Sequence, residues 1–248
     1  MQGRITAQEI IRQSHQGVSV QPFLIRADDG QTYFVKGLAR AGGPALISEA
    51  IAAELGRHLD LPIPPWRIMD IPQALIAFSA VDNAQDLGGG PAFASLPVEN
   101  AAELMWSNVK DIPIELRKAV LLFDWWIQNG DRTLGEAGGN VNLLLGSRGE
   151  LAVIDHNAAF EQGLTHEEFR QYHVFRDLLG ADSDNLFARL DYLPQLDAAL
   201  NDWSRIVTLL PEEWIYRDAD QIDETEPTLQ QRLHILERYR DDRFWGQL

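Results

Sequence analysis

The spacing of apolar and polar residues changes part-way along this chain. In the first third it alternates. VQPFLIRA and QTYFVKG flank Asp28-Asp29-Gly30, the pattern of two paired strands joined by a tight turn. Residues 4–13 (RITAQEIIRQ) fit either a short helix or the start of a strand. Over residues 44–59 (PALISEAIAAELGRHL) the spacing becomes helical, with Ile47, Ile51, Leu55 and Leu59 on one stripe and Pro44 in the first turn. Glu49 lies away from that stripe, and both Glu49 and Glu54 read as ordinary exposed helix positions. LPIPP stops this helix, and WRIMDIPQALIAF reads as further sheet. Asn83 to Pro91, with Gly88-Gly89-Gly90, is the loosest-looking connection, and a boundary between two parts falls shortly after it, near Pro97.

From Glu99 onward helical spacing dominates. ELRKAVLLFDWWIQN puts Leu116, Val120, Phe123 and Ile127 on one face and leads into a stretch of mixed character, Phe123 to Phe160. Within it VNLLL, starting at Val141, and LAVID read as a short hairpin turning at Gly146-Ser147-Arg148-Gly149. The remaining segments, HEEFRQYHVFRDLL, NLFARLDYL, LDAALNDWSRIVTLL and TLQQRLHILERYRDDRF, read as helices. Glu212 to Glu226 carries seven acids and one arginine and reads as a solvated face or loop. A smaller β-rich part (residues 1–97) followed by a larger helical part (98–248), with charged loops at the junction, describes an α+β, two-lobed nucleotide-binding fold.

The hairpin brings chemistry together. In an antiparallel pair the start of the first strand lies beside the end of the second. Asn142 and Asp155 are therefore neighbours at its mouth, although 13 residues separate them. Asp131 sits on the loop feeding that mouth. Each of these residues alone is as readily a structural turn residue. As an ordered set at the ends of apolar runs they need partners, which a metal or phosphate would supply, and oxygen donors of this kind suit magnesium and an acceptor hydroxyl. Lys36, after Tyr33-Phe34-Val35, is either a strand-edge residue or the partner of a helical Glu, held toward a nucleotide phosphate. The loop around Gly17-Val18-Ser19 could cover phosphates through its backbone N–H groups.

Composition narrows the classes. A net charge of −16 over 248 residues argues against non-specific binding to nucleic acid or anionic membrane. There is no cysteine, which excludes thiol catalysis, disulfides and Cys-based zinc sites. No apolar run approaches a transmembrane span and no signal-peptide core is present, so a cytoplasmic soluble protein is expected. The six histidines show no HExxH spacing, which disfavours a metal hydrolase.

One family carries these residues in this order. Tyr33-Phe34-Val35-Lys36-Gly37, Ser48-Glu49 opening a helix that ends in Leu61-Pro62-Ile63-Pro64, Asn129-Gly130-Asp131-Arg132, Asn140-Val141-Asn142-Leu143-Leu144 and Ile154-Asp155-His156 together resemble the HipA-like kinases, in their compact subgroup lacking an extra N-terminal subdomain. The resemblance covers roughly residues 14–160. It implies a bilobal protein-kinase-like fold and ATP- and magnesium-dependent phosphoryl transfer to a hydroxyl, on protein Ser/Thr. By the same resemblance Lys36 would contact the α- and β-phosphates with Glu49 as its ion-pair partner, and Asp131 would take or orient the acceptor proton. Asn142 and Asp155 would hold magnesium, with Asn140 as a rival ligand. Ser19 would lie over the phosphates, and Ala92-Phe93-Ala94 would be the hinge offering backbone groups to adenine. Leu134 to Gly139 look inserted, and His156-Asn157 replaces the familiar Phe-Gly. Many relatives pair with a DNA-binding antitoxin, and nothing in the sequence shows such a partner. A lipid or small-metabolite kinase and a nucleotide-binding pseudokinase would share the same residues.

Overall fold

The computed structural model describes residues 3–14, 21–179, 189–218 and 220–248. The loop residues Gly17, Val18 and Ser19 lie outside the described residues, as does part of NLFARLDYL. The described chain is α+β, β-rich in its N-terminal part and helical toward the C-terminus, as expected. It divides into two compact units. One comprises residues 1–50, 64–97 and 210–226; the other comprises residues 51–63, 98–209 and 227–248.

The first unit is a five-stranded closed barrel. Its strands are β1 (Ile5–Gln13), β2 (Phe23–Ala27), β3 (Thr32–Lys36), β4 (Trp66–Ile71) and β5 (Gly90–Ser95), in the order β1-β2-β3-β5-β4, with β1 closing in parallel on β4. Residues 4–13 are thus strand rather than helix. Period-2 alternation explains the barrel core: Phe23, Ile25 and Ala27 of β2, Tyr33 and Val35 of β3, Met69 and Ile71 of β4, and Ala92 and Ala94 of β5 point inward. In β1 the inward set runs Ile5, Ala7, Ile10, because a bulge between Ala7 and Glu9 shifts the phase by one residue. The Asp28-Asp29-Gly30 turn joins β2 to β3 as read, with Gly30 at a φ of 80° and its N–H on the Ala27 carbonyl.

Two readings of this unit need correction. Only Trp66–Ile71 of WRIMDIPQALIAF is strand. Pro72, with no N–H for a ladder, ends it, and Gln73–Ala77 forms the short helix α3. The helices before it are α1 (Leu38–Ala41) and α2 (Gly43–Arg57). The glycine-rich connection is not a loose linker either, because Ala84 and Leu87 are buried and the backbone of Leu87 abuts Gly37.

The acidic segment 210–226 also reads differently in the structure. It belongs to the barrel unit, and its helix α8 (Glu212–Ile215) buries Trp214 and Ile215. The Trp214 indole donates to the Pro91 carbonyl at 2.9 Å, and the Trp214 carbonyl sits where a side chain on Gly43 would be. Its acids face water while two apolar residues anchor it.

In the second unit, α4 (Ile114–Trp126) is buried at every position from Val120 to Trp126. The sheet β6-β7-β8 comprises Ala102–Glu103, Leu143–Leu145 and Leu151–Val153. Further helices are α5 (His166–Tyr172), α6 (Arg189–Asn201), α7 (Trp203–Thr208), α9 (Leu229–Glu237) and α10 (Asp242–Trp245). Trp126 donates its indole N–H to the Leu236 carbonyl at 2.8 Å, which ties α4 to α9. Among the described residues no helix is long and apolar enough to cross a membrane. The chain changes unit between residues 97 and 98, and residues 51–63 and 210–226 belong to the unit other than that of their flanking segments.

Gly37 tests how tightly this framework is set. A Cβ there would lie 2.0 Å from the Leu87 carbonyl oxygen, whereas one on Gly30 would meet nothing within 4 Å. Gly37→Ala is therefore expected to lose about 1–3 kcal/mol or more through overpacking, measured by urea unfolding. Gly30→Ala pays only for its left-handed backbone, about 1–2 kcal/mol. An unchanged urea midpoint for Gly37→Ala would contradict the close approach.

Candidate active site

In the barrel unit, the expected residues stand at the end of β3. The residues of β3 that do not point into the barrel are Thr32, Phe34 and Lys36, and the cross-strand partner of Lys36 on β5 is Phe93. Lys36 is buried, and its Nζ lies 2.6 Å from Glu49 Oε1 on α2. Glu49 and Glu54 are both buried, because α2 is enclosed on all sides from Leu46 to Gly56. That corrects their reading as exposed positions. It also separates them: Glu49 meets Lys36, while Glu54, in the second unit, accepts from Arg205 at 2.7 Å. A buried ion pair is weak evidence for stability, since desolvating both charges offsets their attraction.

In the second unit, the oxygen donors gather around Asp131. The side-chain amides of Asn140 and Asn142 both donate to Asp131 Oδ2, at 2.6 and 3.2 Å. The inserted loop does not spoil this arrangement. Thr133 N–H donates to the Asn140 carbonyl at 2.9 Å, and Gly135 and Gly138 exchange bonds of 3.1 and 3.0 Å, so Leu134 to Gly139 leave and return at one place. Gly139 is required there, because a Cβ would stand 2.5 Å from the Thr133 carbonyl oxygen. β7 starts at Leu143 rather than Val141, because Asn142 has a φ of 48° and turns its side chain out of the strand pattern. Leu143 pairs with Val153, and Ile154 N–H donates to the Asn142 carbonyl at 3.1 Å, so Asp155 comes one residue after the cross-strand neighbour of Asn142. Asp155 too has a positive φ, 55°. Non-glycine residues in this region store strain and gather at functional sites.

Beneath these residues lies a buried charge network that the sequence pattern did not single out. Asp124, in the last turn of α4, is fully enclosed. Its Oδ2 accepts from Arg132 Nε at 2.7 Å and lies 3.0 Å from His173 Nε2, while its Oδ1 accepts from Asn129 Nδ2 at 2.9 Å. Arg132, also fully enclosed, turns its Nη1 to two carbonyls at the hairpin mouth, those of Asn142 and, at 3.2 Å, Ile154. Burial pulls the Asp124 carboxyl upward, but the Arg132 charge and the His173 hydrogen bond outweigh it and hold Asp124 below the usual carboxylate range. Burial pushes His173 below its ordinary value despite Asp124. The one available signal was an acid inside the apolar run LLFDWW, a residue that cannot be buried without partners.

Two expected residues fit less well. Phe93 and Ala94 lie inside β5, which is flanked by β3 and β4, so the backbone there faces neighbouring strands rather than a ligand. Ala94 points into the barrel, and the Phe93 ring stacks on Trp66 with centroids 5.3 Å apart. Phe34 is half-buried on the Lys36 side of β3. His156 is buried with its ring edge-on to Phe123, 5.8 Å between centroids.

His173 gives a pH dependence. Its folded-state pKa is depressed, so below the ordinary value of 6.5 the unfolded chain binds a proton that the folded chain resists. Stability should hold near pH 7–8 and fall as the pH drops below about 6.5, by at most about 1.4 kcal/mol per pH unit. Asp124, likewise lowered, stays ionised in folded and unfolded chain alike across this window and adds no slope. Urea unfolding of wild type and His173→Gln between pH 5 and 8 checks this. The variant should show the shallower slope, and equal slopes would contradict it.

Residues 7–248 match a family model described as HipA-like kinase. The comparison with curated proteins found no match. Among solved structures, the chain is similar to the Helicobacter pylori proinflammatory kinase CtkA at 14% identity and a TM-score of 0.46, covering 98% of this chain and 97% of that one. It is also similar to CtTel1 in its open conformation at 16% identity and a TM-score of 0.31, covering 94% of this chain and 11% of that one. With almost its whole length matched by the family model, this chain belongs to the HipA-like kinase family.

Proposed function

We propose that this chain is an ATP- and magnesium-dependent kinase that transfers the γ-phosphoryl group to a hydroxyl on protein Ser or Thr. The observation that carries the reading is the arrangement at the hairpin mouth: two amides on the Asp131 carboxylate, and strand pairing that sets Ile154, the residue before Asp155, against the second of them. The donor set suits magnesium, since Asp155 offers a carboxylate and Asn142 an amide oxygen, both hard ligands. Bound there, the cation would neutralise charge on the transferred phosphoryl group.

The roles of the side chains follow from their chemistry. Asp131 is the group that accepts or orients the proton of the acceptor hydroxyl, and the two amide donors hold its carboxylate in one orientation. Asn142 spends its Nδ2 on Asp131, which leaves its amide oxygen as the ligand atom. Asn140 makes the shorter bond to Asp131, and its carbonyl is tied to Thr133 rather than to the hairpin. We therefore assign Asn140 to orienting Asp131 and Asn142 to the cation. Lys36, fixed by Glu49, is the phosphate-binding cation. Protein Ser/Thr as acceptor rests on the family resemblance alone, as does an antitoxin-type partner.

The test combines transfer with binding. With γ-labelled ATP and magnesium, wild type should label Ser or Thr in a protein mixture, and Asp131→Asn should lose about 10²–10⁴ in rate. Nucleotide with magnesium at 100 times its dissociation constant should stabilise the wild type by about 2.7 kcal/mol, a shift that Asp155→Asn largely loses. Label found only in lipid or small molecules would replace the protein acceptor. A nucleotide shift with no transfer to any acceptor would indicate a pseudokinase.

A further inference from the structure

The Arg132 guanidinium has more bonds than an internal counter-ion needs. One side of it pairs with Asp124, which would suffice to satisfy a buried charge. The other side donates to two carbonyls on different strands' ends, those of Asn142 and Ile154. These belong to one proposed metal ligand and to the residue immediately before the other. The Asn142 carbonyl already accepts from Ile154 N–H, so the strand ends are paired without Arg132. What the guanidinium adds is a rigid two-pronged link from α4 to both ends at once. A lysine ammonium, a point charge on a flexible stem, cannot supply that geometry.

We propose that Arg132 is a positioning residue, held by Asp124, that sets the separation and orientation of Asn142 and Asp155 for a divalent cation. This rests on the reading of those two residues as the cation's ligands. The local backbone makes such a device necessary. Asn142 and Asp155 both hold left-handed backbone conformations, which relax unless the surroundings fix them. Asn129 and His173 complete the set of groups facing Asp124, so the carboxylate that anchors Arg132 is itself held from three directions. Groups that orient metal ligands are commonly worth 10–100-fold in metal affinity.

The experiment separates positioning from folding. ADP binding in EDTA is measured by calorimetry, and Mn²⁺ binding to the ADP-saturated protein by electron paramagnetic resonance. The proteins are wild type, Arg132→Lys, Asp124→Asn, Asp155→Asn and, as a destabilised core control, Ile206→Ala. Ile206 is fully buried on α7, away in sequence from both the hairpin and Asp124. Arg132→Lys should leave ADP binding in EDTA within about 3-fold and weaken Mn²⁺ binding about 10-fold or more. Asp124→Asn should act in the same direction, and it decides the matter if Arg132→Lys does not fold. Ile206→Ala should change neither constant. Wild-type Mn²⁺ affinity in Arg132→Lys, or an equal loss in Ile206→Ala, would overturn the proposal. Equal Mn²⁺ affinity in wild type and Asp155→Asn would instead overturn the ligand reading on which it rests.

Discussion

The pairing of Arg132 with Asp124 is the interaction on which the rest of the site depends. Both groups are completely withdrawn from water, and the carboxylate also holds Asn129 and His173. A charge placed so deep tolerates little displacement, because losing a partner strands the other ion in the core, at a cost of about 3–5 kcal/mol. The chain therefore has one way to run from α4 through Asp131, and Arg132 carries that constraint onward to the hairpin. Position is transmitted from a buried helix to loop residues that would otherwise wander.

The inserted loop shows what that arrangement allows. Leu134 to Gly139 close on themselves through Thr133, Asn140, Gly135 and Gly138, so six extra residues pass without moving Asn142 from Asp131. Sequence spacing between two functional residues is then a poor guide to their separation in space. Backbone pairing at the base of the excursion is the better one. The barrel unit solves a similar problem differently. There Lys36 is fixed by strand register, by Glu49 and by the close approach of Leu87 to Gly37.

Periodicity revealed most of the barrel and the hairpin. Alternation in β2 and β3, the Asp28-Asp29-Gly30 turn and the Gly146–Gly149 turn are local signals, and local physics decides them. Long-range packing hid the rest. Nothing near Trp214 in sequence says that it donates to Pro91, and an acidic segment reads as solvated unless its two buried apolar residues are weighed. Glu49 and Glu54 look alike on a helical wheel, yet one meets a lysine of β3 and the other an arginine of α7. Asp131, Asn142 and Asp155 could be placed together because strand pairing is antiparallel. Arg132, Asp124 and His173 could not, since their meeting depends on how α4 packs.

The central claim is that Asn142 and Asp155 present oxygens to one cation beside Asp131. Its most direct test is a crystal structure of the protein with Mn²⁺ and a non-hydrolysable ATP analogue, using the anomalous signal to find the ion. The account predicts a peak at coordination distance, about 2.0–2.3 Å, from the Asn142 amide oxygen and an Asp155 carboxylate oxygen. A peak bound to other residues, with these two oxygens turned away from it, would contradict it.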